Sequence, residues 1–81
     1  MIALTLYSRP GCHLCDDMKA TIVRVTVALP STFEEIDISD SAELEAKYGL
    51  EIPVLMVDGK KVAKVRISDA DLTRLLRARA G

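Results

Sequence analysis

The chain has 81 residues, 49% of them hydrophobic and 28% charged, with a formal net charge of −1. That length accommodates one core and hence one domain over residues 1–81, burying only about 60–65% of the surface the unfolded chain would expose. The small charge excludes an electrostatic footprint for nucleic acid or an anionic membrane. The start Met1-Ile2-Ala3-Leu4-Thr5-Leu6 has no basic leader and too short an apolar run for a signal peptide or a spanning helix. Cytoplasm is therefore the expected compartment, where structural disulfides are rare and a close cysteine pair is more often catalytic or metal-binding.

Residues 2–7 form a short apolar run that stops at Pro10-Gly11 and reads as a buried strand. From His13 onward, Leu14, Met18, Ile22, Val25 and Leu29 recur at three- and four-residue steps, one apolar stripe of a helix. Thr21-Ile22-Val23-Arg24-Val25-Thr26-Val27 opposes it with six β-branched residues in seven, a composition that favours strands. Pro30 and Ser31 end the segment in either case. Residues 33–38, with Phe33, Ile36 and Ile38, read as a second strand, and Asp40 with Glu43 has capping-box spacing for a short helix that buries Leu44 and Tyr48 and stops at Gly49.

Residues 52–57 are almost wholly apolar and predict a central third strand. Asp58-Gly59 is a two-residue hairpin signal, and residues 60–66 return as a lysine-bearing edge strand. Ser68 caps a last helix that turns Leu72, Leu75 and Leu76 to the sheet, with Arg74, Arg77 and Arg79 suiting its C-terminal dipole. The lysines of this return strand, like Lys19, read as a solvated face. The order is strand, helix, strand, helix, strand, strand, helix. Each strand–helix–strand unit is expected to give a parallel pair.

Cys12 and Cys15 are the two cysteines of the chain. Three residues apart, they close too small a loop to stabilise a fold by chain entropy. At a helix start, free backbone N–H groups and the helix dipole favour a thiolate; such placement lowers a thiol pKa from about 8.5 into the range of roughly 3.5–7.5. Cys12 then attacks a disulfide, Cys15 resolves the mixed disulfide, and Arg9 adds positive charge. His13 reads either as a side chain tuning the thiolate or as a solvent-facing residue without a role. Joined with Cys12, Cys15 and Asp16 or Asp17 it cannot easily complete a zinc tetrahedron from so short a segment, so no metal site is expected within one chain.

The Cys-x-x-Cys after the first strand, with Ile52-Pro53 before the third, resembles the thioredoxin fold. The segment Leu6-Tyr7-Ser8-Arg9-Pro10-Gly11-Cys12-His13-Leu14-Cys15 resembles a glutaredoxin, and the likeness extends over nearly the whole chain. It implies an α/β domain over 1–81 of glutaredoxin type, β-α-β-α-β-β-α, with a four-stranded mixed sheet flanked by helices. It implies a thiol–disulfide oxidoreductase working on protein or glutathione mixed disulfides through a redox-active Cys12–Cys15 disulfide. It also implies a cis peptide at Ile52-Pro53 facing the cysteines and leaving the Ile52 backbone open to a substrate strand, where sequence alone equally permits a trans proline at a strand start. Arg9, His13 and Leu14 would line the substrate site. Ser68 and Asp69, already explained as a cap and a first-turn acid, would meet the γ-glutamyl end of glutathione.

Two positions depart from the family pattern. Val65-Arg66 stands where glutaredoxins carry a Gly-Gly pair, and His13-Leu14 where they commonly have Pro-Tyr. The resemblance implies a monomer with no bound cofactor, glutathione serving as a co-substrate, and protein disulfides, glutathione or a reductase as partners. A second function class is an iron–sulfur cluster or metal module bridged across a dimer through Cys12. A third is an interaction scaffold with an idle thiol pair.

Overall fold

The computed structural model describes residues 1–80. In chain order the elements are β1 (Ile2–Ser8), α1 (His13–Thr26), β2 (Ser31–Asp37), a 3-10 turn (Ile38–Asp40), α2 (Ala42–Tyr48), β3 (Val54–Val57), β4 (Lys60–Lys64) and α3 (Asp69–Ala80). The four strands form one sheet in the order β2-β1-β3-β4. β1 runs parallel to β2 and antiparallel to β3, and β3 runs antiparallel to β4.

Only the first strand–helix–strand unit gives a parallel pair; the second does not, contrary to expectation. α2 has seven residues and so spans only about 10 Å, less than half the length of the seven-residue β1 at roughly 3.3 Å per residue. The connection from β2 to β3 therefore stays at one end of the sheet. β3 re-enters there, Val54 beside Tyr7, and runs back down.

β1 turns Ile2, Leu4, Leu6 and Ser8 to one face, where they are buried. That face packs on Met18 and Ile22 of α1 and Leu72 and Leu76 of α3, with Leu55 and Val57 from β3. The other face carries a smaller core of Ile38, Tyr48 and Val54, in which the rings of Tyr7 and Tyr48 stack 4.6 Å apart. The β-branched run is helical as far as Thr26. Thr21 and Ile22 point into the core, and the Thr26 hydroxyl donates to the Ile22 carbonyl at 2.7 Å. Residues 27–29 form a turn before Pro30, closed by Leu29 N–H on Thr26 C=O.

Several local expectations are corrected. Ser41, not Asp40, caps α2, its hydroxyl accepting from Leu44 N–H at 3.2 Å; Asp40 is used up in the preceding 3-10 turn. Phe33 stays partly exposed because β2 is an edge strand. Ile38, expected in that strand, is buried from the 3-10 turn. Leu75 is 36% exposed, since α3 buries the i, i+4 pair Leu72 and Leu76 and Leu75 lies beside that stripe. The hairpin forms as expected: Asp58 and Gly59 both have positive φ, 51° and 83°, as the favoured two-residue turn requires. No helix among the described residues is long and apolar enough to cross a membrane.

Candidate active site

Gly11 holds φ at 78°, a left-handed conformation that glycine adopts without steric cost, and this turns the chain from β1 into α1. Cys12 is then the N-cap of α1, with extended backbone, and its Sγ accepts from the backbone N–H of Cys15 at 3.2 Å. A helix N-terminus presents unpaired N–H groups, and here the sulfur occupies the position a capping oxygen usually fills. Cys12 and Cys15 are joined as a disulfide with Cα atoms 5.2 Å apart, within the usual span. Their exposures differ: Cys12 is half-buried at the rim, whereas Cys15 is 2% exposed.

Around this pair the expected site residues divide. His13 opens α1 and is exposed, and Leu14 is half-buried beside it. The Ile52–Pro53 peptide is cis. Pairing of β3 begins at Val54, so Ile52 lies outside the ladder at the end of the sheet where β1 gives way to Cys12. Pro53 is buried, and its carbonyl accepts from Val65 N–H at 2.8 Å, which ties the loop after β4 to this end of the sheet. Arg9 is committed elsewhere, its guanidinium pairing with Glu45 of α2.

Ser68 and Asp69 are engaged at the head of α3. The Ser68 hydroxyl accepts from Asp71 N–H at 3.1 Å. Asp69 is held by Arg24, Nε to Oδ2 at 2.9 Å and Nη2 to Oδ1 at 3.0 Å, and this hydrogen-bonded pair lowers its pKa. Arg24 lies twelve residues along the chain from Cys12, a helical rise of roughly 18 Å. Asp69 is thus anchored to the second half of α1, beside Arg24 and Thr21.

Two grooves flank the turn. One, of 220 Å³, runs between Leu14, Asp17 and Thr21 of α1 and the loop residues Arg66 and Ile67. The other, of 370 Å³, is charged and includes Arg9, Asp16, Lys19 and Glu35. In it Glu35 accepts from Lys19 Nζ and from the Ser8 hydroxyl, both at 2.9 Å; the Lys19 hydrogen bond is the main reason its pKa is lowered. Sequence reasoning missed Glu35, Glu45 and Arg24 as partners, since each meets its mate across elements distant in the chain. Among the described residues no three His, Cys, Asp or Glu side chains converge into a group able to hold a metal ion.

The family model described as Glutaredoxin-like domain (DUF836) matches residues 3–77. A glutaredoxin-like protein of Dictyostelium discoideum is 35% identical over 77 residues, covering 88% of this chain and 71% of its own length. Among solved structures, a protein from X. campestris superposes with a TM-score of 0.80 at 34% identity, over 93% of this chain and 96% of its own. A mutant thioredoxin from Halobacterium salinarum matches with a TM-score of 0.70 at 20% identity, over 95% and 73% of the two chains; that likeness is one of fold.

Proposed function

We infer that this chain, which belongs to the glutaredoxin-like family within the thioredoxin superfamily, is a thiol–disulfide oxidoreductase acting on protein disulfides. The observation that carries the reading is the asymmetric pair: Cys12 at the rim, its sulfur on the Cys15 N–H, with Cys15 buried one turn below. In the reduced protein the Cys12 thiolate attacks one sulfur of a substrate disulfide. That S–S bond breaks, a mixed disulfide forms, and the partner's other sulfur leaves as a thiolate that takes up a proton. Cys15, deprotonated, then attacks Cys12 Sγ. The Cys12–Cys15 disulfide forms, the second partner thiol is released, and two electrons have passed to the substrate. A reductant regenerates the dithiol.

The helix start supplies the stabilisation of the attacking thiolate. Arg9 contributes less charge than a free guanidinium would, being paired with Glu45. Ile52, outside the β3 ladder, is positioned to pair with an extended substrate backbone. With Asp69 held by Arg24 and Val65-Arg66 in the loop before α3, protein disulfides are favoured over glutathione as the partner class. The working form is a monomer in a reducing compartment, with no resident cofactor.

The test is trapping. A reduced Cys15→Ser variant mixed with a disulfide-bonded protein substrate should accumulate a mixed disulfide on Cys12, visible by mass and dissolved by dithiothreitol. Cys12→Ser should form none. Equal adducts on both variants, or no exchange by the wild-type protein with any disulfide, would overturn the reading.

A further inference from the structure

Charge is distributed unevenly along this nearly neutral chain. Residues 1–59 carry four Lys or Arg against ten Asp or Glu, and residues 60–81 carry seven against two. The sheet order turns this sequence asymmetry into a spatial one, because β2 and β4 form its opposite edges. Among the described residues Asp16, Asp17, Glu34, Asp37, Asp40 and Glu43 have no ion-pair partner, and all lie before β3; Lys47, also without one, is the exception in sign there, its Nζ lying over the Tyr48 ring. Lys60, Lys64, Arg66 and Arg77 likewise have none, and all belong to β4, α3 or the loop between them.

A groove of 570 Å³ lies between β4 and α3. Its apolar lining is Val62, Ala63, Ile67 and Leu75, and its charges are Lys64, Arg66 and Arg74 against the single carboxylate of Asp71. Arg74 is the one of these three that is paired, with Asp71 at 3.2 Å, and both side chains are exposed. Arg66 and Ile67 also line the 220 Å³ groove that reaches Leu14, next to Cys15. The two grooves therefore meet at this dipeptide, and a chain lying between β4 and α3 is led toward the cysteines.

We propose that the β4–α3 groove is the docking surface for an acidic protein partner of the exchange, recognised through a segment that mixes carboxylates with aliphatic side chains. The assignment rests on the oxidoreductase reading for what the docked partner does, but not for the docking itself. Lysines on an edge strand also deter strand pairing; that accounts for the charges of Lys60, Lys61 and Lys64 but not for the apolar trough beside them, nor for Arg66 and Arg74 beyond the strand. The groove has no aromatic lining on which bases could stack, which sets nucleic acid aside. The acidic β2 edge repels the same partner, so the bipolar field orients an approaching acidic protein with its segment toward β4.

The probes are two fluorescein-labelled, cysteine-free peptides, one alternating Glu with Leu and its twin alternating Lys with Leu, titrated with the wild-type protein at low salt and followed by anisotropy. The Glu peptide should bind at least about tenfold more tightly than its twin, and the difference should shrink as salt screens the charges. Lys64→Glu with Arg74→Glu should weaken Glu-peptide binding about tenfold by the same reasoning, while Lys64→Arg with Arg74→Lys retains it. Should the reversed variant not fold, amide shifts in the wild-type protein on adding the Glu peptide should map to residues 62–75.

Equal binding of the twins, or shifts mapping elsewhere, overturns the proposal. Self-association of the wild-type protein that the Glu peptide does not disrupt would also overturn it, by placing a second copy in the groove. Reduction of a small uncharged disulfide by the wild-type protein reports on the oxidoreductase reading alone, and its failure leaves the peptide result standing.

Discussion

Arg24 near the end of α1 grips Asp69 at the start of α3 through two hydrogen bonds, Nε to Oδ2 at 2.9 Å and Nη2 to Oδ1 at 3.0 Å. A bidentate guanidinium–carboxylate pair uses both oxygens of the acid in a fixed plane. An incoming ammonium group such as that of a γ-glutamyl residue therefore has to compete with Arg24 for Asp69. Arg24→Gln should free the carboxylate and raise the rate with a glutathione mixed disulfide several-fold, with the rate on a protein disulfide unchanged. Both side chains are more than half exposed, so the melting temperature should move little. Stopped-flow rates on the two substrate classes check this, and an unchanged glutathione rate removes Asp69 from the substrate site.

Val65 sits at φ 71°, in the left-handed region where a β-branched residue is an outlier. Its N–H donates to Pro53 C=O at 2.8 Å, so the surrounding structure holds the residue in this conformation. Relief of roughly 1–2 kcal/mol of left-handed cost, set against about 0.5–1 kcal/mol of added chain entropy, leaves Val65→Gly more stable by about 0–1.5 kcal/mol, centred on about 0.7 kcal/mol. For a chain of this size that is a rise in melting temperature of about 4 °C. A lower melting temperature would show that the Val65 side chain is held by packing rather than strained by its backbone.

What could be read from the residues was whatever short-range pattern enforces. The strand and helix order, the Asp58-Gly59 hairpin, the Ser68 cap and the placement of Cys12 before a helix all follow from local spacing. The direction of β3 was not legible, because it depends on how far a seven-residue α2 can carry the chain. The cap of α2 was missed because Asp40 and Ser41 are both good caps and a 3-10 turn took the first. The ion pairs Arg24–Asp69, Arg9–Glu45 and Lys19–Glu35 join residues 16 to 45 positions apart, and no periodicity encodes such distances. The charge asymmetry was present in the sequence all along, but it acquires meaning only once β2 and β4 are known to be opposite edges.

The α1 helix forms against its own composition, so its stability must come from the face it buries. Ile22 is 1% exposed in the main core, while Val23 beside it is 54% exposed. Ile22→Ala should cost about 2–5 kcal/mol, a large share of the 5–15 kcal/mol typical of a whole domain. Val23→Ala should do the reverse, adding about 0.5 kcal/mol through helix propensity. Urea unfolding of both variants decides the matter: losses at both positions would mean that Val23 also packs, and no loss at Ile22 would contradict the core described above.

Acid should unfold this protein through a defined set of carboxylates. Glu35 is lowered chiefly by its hydrogen bond from Lys19, Asp37 by the Ser39 hydroxyl, Glu51 by Lys61, Asp58 by the Ala3 N–H and Asp69 by Arg24. Each has a folded-state pKa below its unfolded value, so the folded chain binds fewer protons than the unfolded chain in the acid range. Their contribution is complete above the unfolded pKa values, about 3.9 for Asp and 4.3 for Glu, and is lost as pH falls through the lower folded values. All five are at least partly exposed and screened, so each contributes modestly and the effect is collective. The urea midpoint should be nearly level between pH 7 and pH 5.5 and clearly lower at pH 3. Asp58 joins β1 to α3 through Ala3 N–H at 2.9 Å and Arg79 Nε at 2.7 Å, so Asp58→Asn should lower the midpoint at pH 7 and narrow the gap between pH 7 and pH 3. A midpoint that rises on acidification would reverse the sign and place the pH-sensitive groups elsewhere.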